Sequence, residues 1–162
     1  METVIVEHIM SENIVTLNAD ENLDLAQTIM NLARVRHLPV VDGNKLVGII
    51  SHRDLLRTRG LLVEADPDAE KVQLSRLKVR QVMRSPVHTV TPCTSLLSAA
   101  TFMVEHKVGC LPVVKQGTLV GIITESDFVE LVVKSLRMNE KDMALASMSQ
   151  DSASAEETHQ SL

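Results

Sequence analysis

Aromatic residues are almost missing from this chain. Its 162 residues include no tryptophan, no tyrosine and only two phenylalanines, Phe102 and Phe128. Proteins that read single-stranded nucleic acid or quaternary ammonium groups need aromatic platforms, so both classes are excluded. Positive charge is not in excess either. The formal net charge is −5, which argues against a polyanionic partner. Cysteine is scarce: Cys93 and Cys110 make no C-x-x-C pair and read as thiols, not as a disulfide. Met1 to Met10 carries Glu2 and Glu7 and lacks the basic and apolar regions of a signal peptide. No charge-free apolar run approaches the ~18 residues of a membrane span. The expected compartment is the cytoplasm.

Catalytic and metal signatures are absent as well. Neither a G-x-x-x-x-G-K-[ST] phosphate loop nor a G-x-G-x-x-G fingerprint occurs. The six histidines, at positions 8, 37, 52, 88, 106 and 159, form no triad with a serine or cysteine. His106 and Cys110 stand four apart, but no third ligand accompanies them, so no metal site is expected. These absences argue against an enzyme.

What remains is the balance of a globular protein, 44% hydrophobic and 23% charged. The charge is uneven: residues 139–162 hold five acids against Lys141 alone. From Ser147 onward the chain is Ser, Ala, Gln and acid, which reads as a flexible acidic tail over 138–162.

The decisive feature is an internal repeat. His37-Leu38-Pro39-Val40-Val41 returns as Cys110-Leu111-Pro112-Val113-Val114, and Leu46-Val47-Gly48-Ile49-Ile50 as Leu119-Val120-Gly121-Ile122-Ile123. Both pairs are 73 residues apart, as are Met10 and Met83, Thr16 and Thr89, and Asp54 and Asp127. Between Met10 and Asp54, 17 of 45 positions match their partners without a gap. Chance would match about 3 at average residue usage.

Each copy reads strand, helix, strand, strand, helix. Ile14 to Leu17 is a short β-type run. Asp20 then caps a helix with Leu23, Ala26, Ile29, Met30 and Ala33 on its apolar face; Leu96, Ala99, Ala100 and Met103 repeat it. Asp42-Gly43-Asn44 turns a hairpin between Leu38–Val41 and Lys45–Ile50, and Lys115-Gln116-Gly117 does so less ideally. Pro39 and Pro112 lack a donor, so they should open a strand or lie at an edge. A second helix starts near Ser51 and Thr124. The boundaries expected are 4–63 for the first copy, a charged linker over 64–76, and 77–137 for the second. A copy of this size buries its sheet poorly alone, so the two should pack together about a pseudo-twofold axis.

The succession Met-x(3)-hydrophobic-x-Thr, LPVV, turn, LVGII and Ser/Thr-x-x-Asp resembles the cystathionine β-synthase (CBS) domain, in tandem from Val4 to Arg137. The resemblance implies an α/β (α+β) fold and a non-catalytic regulatory module, usually self-associating, that binds an adenosine-containing ligand between the copies. Such ligands include AMP, ADP, ATP, S-adenosylmethionine and NAD-like dinucleotides. A homodimer is expected, with an effector protein as a further partner and no required cofactor.

The chemistry is consistent with that implication. A helix N-terminus presents unpaired N–H groups to a phosphate, and the hydroxyl of Ser51 or Thr124 adds a donor. Asp54 or Asp127, one turn on, accepts from both ribose hydroxyls. Without Trp or Tyr, the adenine slot must be aliphatic, and Ile14, Ile49, Val87 and Ile122 are the candidates. The family places phosphate contacts just before Leu-Pro, at Arg36 and His37 and at Cys110 in the second copy. Arg53, Thr16 and Thr89 complete the expected ligand set. Glu125 would repel phosphate, so the Ser51 and Asp54 site is expected to take the more phosphorylated ligand. The competing reading of Ser/Thr-x-x-Asp is a capping box. It belongs to an alternative in which the chain is a structural or interaction module that binds no nucleotide.

Overall fold

The computed structural model describes residues 3–43, 45–61 and 67–157. These divide into two compact units that part between Thr124 and Glu125. The first unit holds β1 (Leu17–Asn18), α1 (Leu23–Ala33), β2 (His37–Asp42), β3 (Lys45–Ser51), α2 (His52–Leu61), α3 (Pro67–Arg76), α4 (Leu96–His106), β4 (Cys110–Lys115) and β5 (Thr118–Thr124). The second is the 33-residue helix α5 (Glu125–Glu157). Among the described residues, no helix is long and apolar enough to cross a membrane.

The first unit is mixed α+β, built from the two copies as the repeat requires. β1, β2 and β3 form one sheet in that order, with β1 parallel and β3 antiparallel to β2. β4 and β5 form its counterpart, and a single parallel bridge from Val90 to Val113 stands where the first copy has β1. The edge strand therefore begins at Leu17 rather than at Ile14. Both hairpins shift register at the same place, Val40/Val41 and Val113/Val114, so Val47 and Val120 are the extra residues of matching β-bulges.

Pro39 lies inside β2, fully buried, and not at an edge. The second copy shows why a proline is tolerated there. Ile122, opposite Pro112, turns its N–H and C=O away from it toward Ser11, and the Pro112 carbonyl accepts from Val90. The position needs an acceptor and no donor, which suits proline. The hairpin turn Gln116-Gly117 places both residues at positive φ, 51° and 81°. Glycine adopts this freely, whereas glutamine does so at a cost.

α1 begins two residues later than Asp20 would require. Its N-cap is Asn22, and Asp20 instead forms an ion pair with Arg80 at 2.7 Å. α4 has the side-chain cap that α1 lacks: Ser95 Oγ accepts from the Ser98 N–H at 3.1 Å. The buried stripe Leu23, Ala26 and Met30 of α1 packs with Leu38, Val40 and Ile50, while Ala33 is exposed. Each such large side chain contributes roughly 1.5–3 kcal/mol when buried. Leu96, Ala99 and Met103 of α4, with Leu111, Val113 and Ile123, repeat the arrangement. The stretch expected to be a linker includes α3, whose Leu74 is buried in the first core.

The two copies exchange their lead-in segments. Val6 N–H bonds to Thr94 O and Leu96 N–H to Val4 O, so the start of the chain holds the start of α4. Reciprocally, Val79 N–H bonds to Glu21 O and Leu23 N–H to Leu77 O, so the second lead-in holds the start of α1. The same exchange reaches the central strands. Arg84 pairs antiparallel with Ile49 of β3, and Ser11 with Ile122 of β5. A Cβ on Gly48 would stand 2.3 Å from Met83 Sδ, and one on Gly121 would stand 2.6 Å from Met10 Sδ. These glycines admit the other copy's methionine.

In the second unit, α5 carries exposed Val129, Val132, Val133 and Leu136 along its first half. Residues 138–157, expected to be a flexible tail, continue this helix. They contain no Gly or Pro and include four Ala, three Met and three Glu, which favour helix even without a surface to bury.

Candidate functional site

β3 runs directly into α2, so Ser51 ends the strand and Asp54 stands in the first helical turn. The pair forms a reciprocal capping arrangement. The Ser51 N–H donates to Asp54 Oδ2 at 2.9 Å and the Ser51 hydroxyl to the same oxygen at 2.5 Å. The Asp54 N–H in turn donates to Ser51 Oγ at 3.3 Å. The Arg36 carbonyl accepts from the His52 N–H at 2.9 Å, tying the start of β2 to the start of α2.

Asp54 is 6% exposed, and it is the buried charged residue among those described. Its second oxygen, Oδ1, faces Arg84, which donates from Nε at 3.1 Å and from Nη2 at 3.0 Å. Burial pushes the Asp54 carboxyl up. The Ser51 hydroxyl and N–H and the Arg84 guanidinium outweigh that and hold it below its ordinary value of 3.8. Asp54 is therefore an ionised carboxylate with both oxygens engaged.

Beside this pair lies a cavity of about 90 Å³. The first copy supplies His37, Ile49, Ser51, Arg53 and Asp54, and the second supplies Arg84, Pro86, Val87, His88, Val108 and Cys110. Aliphatic carbon from Ile49, Val87 and Val108 meets a cationic rim of Arg53 and Arg84, with Asp54 the acid among its lining residues. The His88 ring is 5.0 Å from Phe102, which stacks at 3.9 Å on His106. His106 Nδ1 lies 3.0 Å from the Phe102 carbonyl, so this histidine is engaged within α4. Among the described residues, no three His, Cys, Asp or Glu side chains gather as a metal site would require.

Seven of the residues expected from sequence therefore meet at one cavity: His37, Ile49, Ser51, Arg53, Asp54, Val87 and Cys110. Arg36, Thr16 and Thr89 are exposed and Ile14 and Ile122 half-buried, and none of these five lines it. Thr124 closes β5 in the first unit, and Asp127 lies in the first turn of α5 in the second. Sequence reasoning missed Arg84, Pro86, His88 and Val108. A signal was present for two of them. Arg84 and His88 replace Ser11 and Val15 of the other copy, a gain of polar side chains confined to one repeat. His88 also brings a ring to a wall expected to be purely aliphatic.

The CBS domain family profile matches residues 6–60 and again 79–134. The chain belongs to the CBS domain family. A CBS domain-containing protein of Dictyostelium discoideum is 35% identical over 136 residues, covering 82% of this chain and 94% of that one. Several other curated relatives are longer. A homoserine O-acetyltransferase of Methanococcus vannielii is 31% identical over 79% of this chain, which spans 25% of that enzyme. Among solved structures, a Vibrio cholerae protein provisionally assigned to acetoin utilization has a TM-score of 0.72 and 36% identity, covering 86% of this chain and 98% of that one. CBSX2, solved with AMP, has a TM-score of 0.67 and 27% identity, covering 81% and 97%. The CBS pair of MJ0100, solved with 5′-methylthioadenosine and S-adenosylmethionine, has a TM-score of 0.68 and 25% identity, covering 80% and 99%. Two CBS repeats in one chain, matched along nearly their whole length by CBS-pair structures, establish the fold.

Proposed function

We propose that this CBS pair is a non-catalytic regulatory module that takes an adenosine-containing ligand in the cavity between its two copies. The observation that carries the reading is the cavity itself. It sets an ionised, nearly buried carboxylate and a helix start beside aliphatic walls and a cationic rim. In this reading Asp54 accepts from the ribose hydroxyls, Ser51 and the start of α2 meet phosphate, His37 and Arg53 add charge, and Ile49 and Val87 flank the base. Related CBS pairs solved with AMP and with S-adenosylmethionine support the ligand class. In the same reading Thr124, Ile14, Ile122, Thr16 and Thr89, all of the first unit, contribute to a second ligand position. No cofactor is required. A homodimer forms through helical faces such as the exposed valines of α5, and an effector protein senses the liganded state.

Melting the protein against AMP, ADP, ATP, S-adenosylmethionine and NAD, with guanosine nucleotides as controls, tests this. A ligand at ~100 times its dissociation constant adds about 2.7 kcal/mol to the native state. For a chain of this size that moves the midpoint by roughly 5–10 °C. A rise with adenosine ligands that is lost in Asp54→Ala is expected. No rise with any adenosine ligand refutes the proposal.

One observation favours the alternative, a structural or interaction module that binds no nucleotide. The Ser51 and Asp54 motif is occupied as a helix cap, and Arg84 holds the remaining carboxylate oxygen. Unchanged melting across the panel is the outcome that reading requires.

A further inference from the structure

We propose that Arg84 sets the charge of the ligand this site accepts, releasing Asp54 only to a ligand whose anionic group takes the guanidinium in exchange. The inference rests on Asp54 as the ribose acceptor. Asp54 Oδ2 is committed to Ser51, from which it accepts two hydrogen bonds. Oδ1 is where ribose hydroxyls would arrive, and Arg84 Nε and Nη2 occupy it at 3.1 and 3.0 Å. A ribose must therefore displace the guanidinium.

The two ends of Arg84 differ in freedom. Its backbone is held on both sides, N–H to Ile49 O at 2.8 Å and C=O from the Ile49 N–H at 3.1 Å. Its side chain is 52% exposed, so it can turn about a fixed anchor. The cavity of about 90 Å³ is small beside the ~300 Å³ at the lower end of small-ligand sites, so some part of its wall must move to admit a nucleotide. Arg84 is a half-exposed part of that wall whose movement also uncovers the carboxylate.

What Arg84 meets after release decides selectivity. Breaking an ion pair at a buried carboxylate is costly unless both partners are satisfied again. A neutral nucleoside satisfies Asp54 with its diol and leaves Arg84 with water. A nucleotide satisfies both, because a guanidinium binds phosphate through two parallel hydrogen bonds. A sulfonium ligand adds a positive charge to a rim that already holds Arg53 and Arg84. The site should therefore rank AMP above adenosine by more than added contacts alone would give. Ser11 stands at the matching position of the other copy, so the ranking is written into one repeat only.

The test is calorimetric titration of the full-length protein with AMP and with adenosine, for wild type, Arg84→Ser and Arg84→Lys, at one salt concentration. In wild type AMP binds at least tenfold tighter than adenosine. In Arg84→Ser adenosine gains affinity, AMP loses it, and the ratio falls at least tenfold. Arg84→Lys keeps the charge without the paired donors and gives an intermediate ratio; it also supplies the measurement should the serine variant not fold. An unchanged ratio in both variants, with both ligands still binding, overturns the role of Arg84 and leaves the adenosine reading standing. No binding of either ligand to any of the three proteins overturns both.

Discussion

Asp54 shows how one side chain ties a helix start to the opposite copy. Its carboxylate caps α2 through Ser51 and pairs with Arg84 across the two copies. Folding depresses its pKa, so the native state keeps the charge where the unfolded chain takes a proton. Its contribution is full above the ordinary value of 3.8 and drains away as pH falls through the lower folded value. Asp54→Asn removes that titration. The variant should be less stable than wild type by about 1–2 kcal/mol at neutral pH, the cost of a lost charged hydrogen-bond partner beside a half-exposed arginine. The gap should close as pH falls below about 4, the usual carboxylate range. Urea titrations of both proteins at neutral and acid pH measure this, and a gap of constant size would disprove it. This residue was legible in the sequence, since Ser/Thr-x-x-Asp recurs in both copies. Its partner Arg84 was not, because 30 residues separate the two and only the chain exchange brings them together.

At the scale of the element, the repeated glycine of LVGII is explained by what crosses it. Gly48 and Gly121 admit Met83 and Met10 of the opposite lead-in, with the Arg84 and Ser11 carbonyls at 3.2 and 3.3 Å from a built Cβ. Gly48→Ala should therefore force apart β3 and its bridging segment and cost about 1–3 kcal/mol, the usual penalty of overpacking. A lowered midpoint in thermal melting is the expected result, and Gly121→Ala should match it. The spacing of apolar residues was enough to locate α1, α4 and both hairpins. It failed for Asp20, because a cap is chosen by one or two residues of offset, and here Asn22 and the Arg80 ion pair decided it. It did not locate the helix over residues 138–157, where apolar residues are few although the composition favours helix.

Across the whole molecule, the exchange of lead-in segments makes each copy depend on the other. The start of α1 is held by Leu77 and Val79, and the first core includes Leu74 and Val79, all beyond the first copy. A fragment ending at residue 63 would lose these contacts and keep a core already marginal at that size. It should show no cooperative unfolding by circular dichroism, whereas the full chain melts in one transition. A cooperative melt of the fragment would mean that the exchange is not needed for folding.

Periodicity, turn chemistry and the 73-residue offset were carried by local order along the chain, so two copies of β-α-β-β-α and the motif Ser51 to Asp54 could be read without coordinates. Hydrophobic spacing repeats every two or 3.6 residues and needs no distant partner to be visible. What no local pattern contains is which copy's lead-in pairs with which strand. That choice lays Met83 against Gly48 and brings Arg84 to Asp54. It also lines one cavity with residues from both copies. Packing between distant segments settles it, because each lead-in could in principle pair with its own strand and only the assembled core rewards the exchange.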